Sequence, residues 1–281
     1  MIAFPQKQST AVTAVILTHN RPQQCHDSVH RAAAALRRVG GRILVINNGQ
    51  LPVALPENIY GIPCAIMEMP RNLGASARNR VLEQAGTDFF LMLDDDAWVN
   101  PDIVDVMVRA FNEDPQVGAV AFRIYNNSDG EEACLLPTVF HGCACGFRAE
   151  ALRRIGGYPS WILYYGEEYD VTFRLYQAGY RIAMINNHGG VRHIRNPSGR
   201  HKDRIISLLI KNNTRLLAHS FSWETLPHVI SDTIRRYAAV ARKEHATRGL
   251  CTGLMATPFS VLAGLCSRKP IQPHLLDKIT M

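Results

Sequence analysis

The sequence of 281 residues lacks the short motifs that would assign it at once to several large enzyme classes. No G-x-G-x-x-G follows the first predicted strand, which argues against a dinucleotide-dependent dehydrogenase. No G-x-x-x-x-G-K-[ST] and no G-x-S-x-G occur, which argues against a P-loop nucleotide hydrolase and an α/β-hydrolase. The seven cysteines are scattered, odd in number and without a C-x-x-C pair, so we expect reduced thiols and neither a disulfide framework nor a zinc site.

A long apolar run and a secretion signal are also missing from the pattern. No stretch reaches the ~18 apolar residues that a membrane-spanning helix requires, so we expect no such helix. Residues 11–17 are apolar but too short for a signal peptide and lack a cationic start followed by a cleavage site. With reduced cysteines, this predicts a cytoplasmic protein. A hydrophobic content of 47% and a charged content of 20% are ordinary for a globular protein with a sizeable core.

The net positive charge of the chain is confined to its C-terminal part. Residues 197–281 hold 13 Lys/Arg and 5 Asp/Glu, a net charge of +8, whereas the preceding 196 residues hold 18 and 19. A basic, helical and partly apolar tail suggests contact with an anionic membrane surface or an anionic acceptor. A solvated helical face explains the same charge equally well. Nucleic acid is a weaker option because no recognised nucleic-acid motif accompanies the charge.

Predicted strands and helices alternate through residues 11–125, which indicates a doubly wound, mostly parallel α/β sheet. A less regular region with two short helices follows, and residues 201–281 read as a basic helical extension interrupted by prolines. We therefore expect a catalytic domain at residues 1–200 and an extension at 201–281. The expected strands are 11–17, 43–46, 65–67, 89–93 and 117–122. The expected helices are 23–39, 72–84, 103–111, 148–155, 167–177, 201–219 and 223–245.

Three consecutive carboxylates, Asp94, Asp95 and Asp96, follow the apolar strand at residues 89–93. They cannot all be buried without a compensating positive charge. Ligands of open α/β sheets bind at this end of the strands, and hard divalent cations prefer carboxylate oxygens. A solvated acidic turn before a helix is the alternative explanation.

A second acidic cluster and a single histidine are further candidates. Glu167, Glu168 and Asp170 stand at a predicted helix start, where the helix dipole alone favours acids, yet an aromatic-rich segment containing Trp161 precedes them. Acids beside aromatic surface can have raised pKa values and act as bases. His193 is of interest only as a partner of Asp96, because a lone histidine is more often structural.

Seven segments, in order over roughly residues 11–215, resemble the family 2 glycosyltransferases with the GT-A fold. Any one of these segments is weak evidence for the family, but the occurrence of all seven in the family's order is strong evidence. The segments are VILTHNRP (15–22), VINNGQ (45–50), RNLGASARN (71–79), LMLDDD (91–96), GCACGFRAEALRRIGG (142–157), GEEYDVTFRL (166–175) and VRH (191–193).

The resemblance implies transfer of a sugar from a nucleotide-sugar donor with inversion at the anomeric carbon, assisted by Mg²⁺ or Mn²⁺. It places Asp94 near the ribose and Asp96 on the metal, with His193 completing the metal site. The positions that match residues surrounding the nucleotide are Thr18, Asn20, Asn47 and Arg78.

Two departures from the family's pattern bear on mechanism and donor. The family's base is the second acid of a Glu-Asp pair, and this chain has Glu168 there, so we expect Glu168 as the base and Asp170 as the alternative. Asn47 stands where the family usually has Asp against the base ring. An Asn oxygen can still accept a hydrogen bond from a uracil or thymine nitrogen, so we expect a UDP- or dTDP-sugar.

The sequence thus predicts an inverting, metal-dependent glycosyltransferase that acts on a glycan or lipid-linked acceptor in cell-surface glycan or glycolipid synthesis. We expect a cytoplasmic enzyme, with peripheral contact at the inner face of the membrane through its C-terminal helices, and no nucleic-acid partner. Two alternatives stay open: another nucleotide-sugar enzyme resembling a nucleotidyltransferase, and a non-catalytic descendant that binds a glycan or a membrane.

Overall fold

A computed structural model of the protein describes residues 12–127, 130, 139–185, 190–194, 201–272 and 275. Its strands are β1 (Val12–Thr18), β2 (Arg42–Asn47), β3 (Asn58–Ile59), β4 (Ile62–Glu68), β5 (Phe89–Asp94), β6 (Ala97–Val99), β7 (Val117–Phe122), β8 (Ile124–Tyr125), β9 (Ala144–Arg148), β10 (Arg181–Ile185) and β11 (Val191–His193). Its helices are α1 (Pro22–Leu36), α2 (Asp102–Glu113), α3 (Ala149–Arg154), α4 (Glu167–Gln177), α5 (Lys202–Ser220), α6 (Leu226–Lys243) and α7 (Thr247–Cys266), with a 3₁₀ helix at Gly74–Glu83.

The described strands form a large sheet and a small one. The large sheet has the order β10-β7-β9-β5-β1-β2-β4-β3, and its centre is parallel because β1 pairs in parallel with both β2 and β5. The small sheet has the order β6-β11-β8 and continues directly from the end of β5. The carboxyl ends of β1, β2 and β5 therefore meet at one edge, where ligands of open α/β sheets bind.

Alternating side chains of the central strands build a core on each face of the large sheet. On β5, Phe89, Leu91 and Leu93 pack on one side, while Phe90 and Met92 pack on the other. Helices cover both faces, so the strands are apolar almost throughout instead of alternating with polar residues.

The five strands expected from the sequence all exist, and the doubly wound, mostly parallel architecture is confirmed. The first begins at Val12, since Ala11 lies outside the described residues. The described strands β3, β6, β8, β10, β11 and β9 were not predicted, and of these β9 lies inside the large sheet. It runs antiparallel between β5 and β7, and its short, small-residue sequence ACGFR carries little strand propensity.

Two expectations for the C-terminal part need correction. Pro258 does not interrupt the last helix, because α7 continues through it to Cys266, whereas Pro273 lies outside the described residues. The expectation of no spanning-length apolar helix is also wrong. Helix α7 has 20 residues, with a mean hydropathy of 1.5 in its most apolar 18-residue window, so it is long and apolar enough to cross a membrane. Its glycines, serine and threonines interrupt the apolar run without adding charge.

Candidate active site

A cleft at the carboxyl ends of the central strands collects most of the side chains selected from the sequence. It encloses about 840 Å³ and is walled by the loop after β1, the end of β5, β11 and the start of α4. The predicted site residues that line it are Thr18, Asn20, Arg78, Asp94, Glu168 and His193. Asn47, Asp96 and Asp170 do not contribute to its lining.

The first two aspartates of the triplet have different surroundings. Asp94 is one-third exposed, faces the cleft and is ion-paired with the buried guanidinium of Arg78. Asp95 is fully buried and accepts a hydrogen bond from the Thr18 hydroxyl at 2.7 Å. Successive side chains at the strand end thus point in different directions, as the alternation along a strand predicts. The Thr18 hydroxyl orients Asp95 from the cleft wall.

Arg21 balances the buried acids, and the sequence analysis did not select it as a site residue. Its Nε donates to Asp95 Oδ2 at 3.1 Å, and its Nη1 donates to Asp96 Oδ2 at 2.6 Å. Burial raises the pKa of Asp95 to about 7, and the charge of Arg21 opposes that rise. Buried carboxylates need a neighbouring cation, and this need could have identified Arg21 from the sequence. Arg21 follows β1, which is parallel to β5, so its loop lies at the same sheet edge as the aspartates that follow β5.

Asp96 and His193 are brought together by the small sheet. His193 on β11 lies opposite Ala97 on β6, and Asp96 directly precedes Ala97. Asp96 Oδ1 lies 3.4 Å from His193 Nε2, and both side chains are nearly buried. Burial opposes ionisation of Asp96, but a hydrogen bond with His193 and the charge of Arg21 outweigh it and lower the pKa of Asp96 to about 2. Asp96 is therefore a carboxylate near neutral pH.

This pair fits a divalent cation that is shared with a bound phosphate. It offers a carboxylate oxygen and an imidazole nitrogen, with His193 on the cleft wall and Asp96 beside it. Among the described residues, no group of three or more His, Cys, Asp or Glu side chains could hold a metal. Mg²⁺ commonly takes only one or two protein carboxylates and completes its shell with substrate phosphates and water.

The loops after β1 and β2 are tied together beside the cleft. The Asn20 side-chain oxygen accepts hydrogen bonds from the backbone N–H groups of Gln50 and Leu51, at 2.7 and 3.1 Å. Asn47 is buried and its side-chain amide donates to the Leu51 carbonyl at 2.9 Å, so it stabilises the turn after β2 without lining the cleft. Asn48, which the sequence analysis did not select, reaches the cleft lining instead.

Glu168 projects into the cleft from the first turn of α4. Its Oε2 accepts a hydrogen bond from the Gly166 backbone N–H at 3.3 Å. Its Oε1 lies so close to Gly142 that a Cβ added there would be 2.5 Å away. The carboxylate is thus held between two backbone segments. Asp94, His193 and Glu168 line the same cleft, and Asp96 lies beside His193.

The other acids of this turn have different environments. Glu167 is 8% exposed, and burial followed by the nearby charge of Glu168 raises its pKa well above the usual range. Burial also raises the pKa of Glu168. Of the two side chains, Glu167 is the less exposed to solvent. Asp170 is ion-paired with Arg174 one helical turn later, so the Asp170 carboxylate stabilises α4.

Two tyrosines of the aromatic segment line the cleft, whereas Trp161 does not. Tyr164 and Tyr165 are on the cleft wall, and their carbonyls accept hydrogen bonds from Asn212 on α5 at 2.8 and 2.9 Å. Trp161 packs against the core, with the guanidinium of Arg215 4.3 Å from its ring centre. Helix α5 therefore supports the segment that lines this part of the cleft.

The fold is that of the GT-A glycosyltransferases. Residues 13–136 match the family described as Glycosyl transferase family 2, so the chain contains a family 2 glycosyltransferase domain. This confirms the family, the fold class and the enzyme class expected from the sequence. A search of curated protein sequences gives no match.

Solved structures show the same fold at low sequence identity. The mannosyltransferase PcManGT from Pyrobaculum calidifontis, in complex with GDP-Man and Mn²⁺, aligns with a TM-score of 0.56 at 16% identity, over 94% of this chain and 75% of that one. Residues 1–349 of S. aureus TarS, in complex with UDP-GlcNAc, align with a TM-score of 0.55 at 11% identity, over 92% of both chains. These neighbours are complexes with two different nucleotide-sugar donors.

Proposed function

We propose that the protein is an inverting, divalent-metal-dependent glycosyltransferase that moves a sugar from a nucleotide-sugar donor to a hydroxyl acceptor. The observation that carries the proposal is the shared cleft, which is lined by Asp94, His193 and Glu168. It combines a candidate cation site, formed by His193 and the buried Asp96 carboxylate, with a second carboxylate, Glu168, whose pKa is raised by burial. Such a combination suits a reaction in which a diphosphate departs and an alcohol attacks.

The donor is assigned to the wall that carries the aspartates. Arg78 pairs with Asp94 and fixes that carboxylate for a ribose hydroxyl. Asp96 and His193 would hold Mg²⁺ or Mn²⁺, which as a Lewis acid would neutralise the charge developing on the departing diphosphate. Asn20 and Asn47 order the loops on which the nucleotide rests. We propose a UDP- or dTDP-sugar as the donor.

Glu168 is assigned as the general base. The acceptor oxygen forms a bond to the anomeric carbon as the bond from that carbon to the diphosphate oxygen breaks, and the acceptor proton passes to the Glu168 carboxylate. Attack from the face opposite the leaving group inverts the anomeric configuration. A positioned base typically contributes about 10²–10⁴-fold to such a step. Asp170 is less suited because Arg174 occupies its carboxylate outside the cleft lining.

The acceptor and the location belong to the same proposal. We assign the acceptor to a glycan or lipid-linked species of cell-surface glycan or glycolipid synthesis, bound on the side of Tyr164 and Tyr165. We place the enzyme in the cytoplasm, with peripheral contact at the inner face of the membrane. We also propose that residues 1–200 form the catalytic domain and residues 201–281 the extension. Residues 195–200, beside this boundary, lie outside the described part of the chain.

Thermal stability in the presence of nucleoside diphosphates tests the donor and metal assignments together. A ligand at 100 times its Kd stabilises the folded state by about 2.7 kcal/mol. We expect UDP or dTDP to raise Tm by several degrees with Mn²⁺ and by much less without it. Equal shifts with and without the ion would contradict the metal assignment, and a preference for GDP would contradict the donor assignment.

Replacing Gly142 by alanine is expected to lower transfer by displacing Glu168. The new methyl group would lie 2.5 Å from Glu168 Oε1, so the carboxylate must move. A displacement of about 1 Å can cost on the order of 10²-fold in rate. Steady-state kinetics should show a lower kcat with nearly unchanged donor affinity.

Gly86→Ala is the matched control for this substitution. Gly86 has a φ of +69° and open space around it, so alanine there costs about 1–2 kcal/mol in backbone strain without touching the cleft. We expect a lower Tm and an unchanged kcat for this control. A Gly142→Ala enzyme with unchanged kcat would show that Glu168 does not need its observed position.

A further inference from the structure

Helix α7 exposes a continuous apolar face in the described structure. Leu254, Met255, Phe259 and Leu262 have exposed fractions of 39%, 67%, 77% and 60%, and their spacing places them on one side of the helix. We call these four residues the apolar face of α7. Only 22% of the most apolar window of this helix is buried, so α7 is not a core helix. An exposed apolar surface of this kind marks an interaction site.

The opposite side of α7 packs closely on α5 through small residues. Gly249 and Gly264 approach the α5 backbone so closely that a Cβ at either position would collide with it. At Gly253, an added Cβ would lie 2.9 Å from Ile210. These contacts run along the whole of α7 and fix which side of the helix remains available to a partner.

Positive charge flanks the apolar face at both ends. Residues 245–276 contain no Asp or Glu, whereas Arg248 stands at the start of α7 and Arg268 and Lys269 follow its end. Trp223, 65% exposed, lies beside this end with its ring centre 3.9 Å from the Arg268 guanidinium. Basic side chains beside apolar ones attract a helix to anionic lipids, and tryptophan favours the membrane–water interface.

We propose that the apolar face of α7 inserts into the interface of an anionic lipid bilayer and holds the enzyme at the membrane surface. The helix lies parallel to the membrane plane and does not span it. Spanning would separate α7 from α5 along all its glycine contacts, and α5 itself carries charged residues such as Lys202 and Asp203 at its start. This inference rests on the peripheral membrane contact proposed above and names the surface that makes it. The surface lies outside the cleft, so vesicle binding can be measured without the transfer reaction.

The position of α5 links this surface to the cleft. Ile210 of α5 contacts α7, and Asn212, two residues later, holds the carbonyls of Tyr164 and Tyr165 on the cleft wall. One helical layer therefore separates the bilayer from the segment beside the acceptor. Docking through α7 would bring an acceptor anchored in the bilayer close to the cleft.

Flotation of the full chain with vesicles tests the proposal. We expect binding to vesicles of phosphatidylcholine with phosphatidylglycerol, weaker binding to phosphatidylcholine alone, and release of the chain as NaCl is raised. Met255→Glu with Phe259→Glu should lower partitioning on the order of tenfold or more for each apolar side chain removed. Phe259→Ser, a milder change at an exposed site, should lower it in the same direction.

Met184→Glu is the matched control. Met184 is 42% exposed on β10, so the control adds the same charge to another exposed methionine. It should bind vesicles like the unmodified chain, and all variants should keep the parental Tm. Persistent flotation of the double variant, absence of flotation of the unmodified chain, or salt-independent binding to neutral vesicles would each overturn the proposal.

Two further outcomes identify other occupants of the surface. A dimer that the double variant disperses, without vesicle binding by the unmodified chain, would assign the face to a second copy of the chain. Resistance of the membrane-bound chain to extraction by alkaline carbonate would show that α7 spans the bilayer. Either result overturns the interfacial arrangement.

Discussion

Glu168→Gln should reduce sugar transfer by about 10²–10⁴-fold, because the amide cannot accept the acceptor proton. Donor binding should change little, since Glu168 is not among the residues assigned to the nucleotide or the ion and glutamine keeps the size of the side chain. The Gly166 N–H can still donate to the amide oxygen, so the fold should survive. Initial rates with saturating donor, together with an independent measurement of donor affinity, separate these two effects.

The pH dependence of kcat gives this prediction a second readout. Burial raises the pKa of Glu168, so the basic form is gained at a higher pH than for an ordinary glutamate. Activity should therefore be low at acidic pH and rise as pH passes through that raised pKa. The residual activity of the glutamine variant should lack this rise.

Three substitutions complete the test of the base. Glu150→Gln, on the exposed surface of α3, makes the same chemical change outside the cleft and should leave transfer unchanged. Glu168→Asp restores the residue usual in the family but shortens the side chain, so partial activity is expected. Asp170→Asn should lower Tm through loss of its pairing with Arg174 and retain transfer. If Asp170→Asn instead abolishes transfer while Glu168→Gln does not, the base is Asp170.

Much of the fold could be predicted because local patterns and tertiary structure agree. The apolar strands and amphipathic helices of residues 12–122 have the periodicity that each element requires. The strand β9 could not be found in this way, because its sequence ACGFR has little strand propensity. Its pairing with β5 and β7 stabilises the extended conformation instead. Local propensity is a weak signal wherever two long neighbouring strands determine the conformation of a short one.

The site residues likewise fall into those that a local motif identifies and those that depend on contacts between distant parts of the chain. Asp94, Glu168 and His193 could be selected from the sequence because each belongs to a short motif, and all three line the cleft, while their roles stay predictions. Arg21 was not selected, since its role depends on a contact with Asp96 across 75 positions of the chain. Glu167 and Glu168 are adjacent in sequence, and only their unequal burial in the structure distinguishes them as candidate bases. Motifs can thus identify residue types, whereas packing determines charge and exposure.

Asp96→Ala is the second substitution with a large expected effect, and it should abolish metal-dependent transfer. It removes the carboxylate proposed to bind the ion, and Lewis-acid stabilisation of several kcal/mol corresponds to a rate loss on the order of 10²–10³-fold. Alanine also leaves Asp95 as the remaining ion-pair partner of Arg21 among the described residues, so Asp96→Asn, which keeps the side-chain volume, is the parallel variant. Transfer rates measured over a range of Mn²⁺ concentrations report the loss.

The decisive observation is how the ion and the nucleotide act on stability in these variants. In the unmodified chain, Mn²⁺ should increase the rise in Tm produced by a nucleoside diphosphate, and in both Asp96 variants that increase should disappear. Asp88→Ala, an exposed aspartate before β5, should behave like the unmodified chain. Retention of Mn²⁺-dependent transfer by both variants would place the ion elsewhere in the cleft and remove the basis for assigning His193 to it.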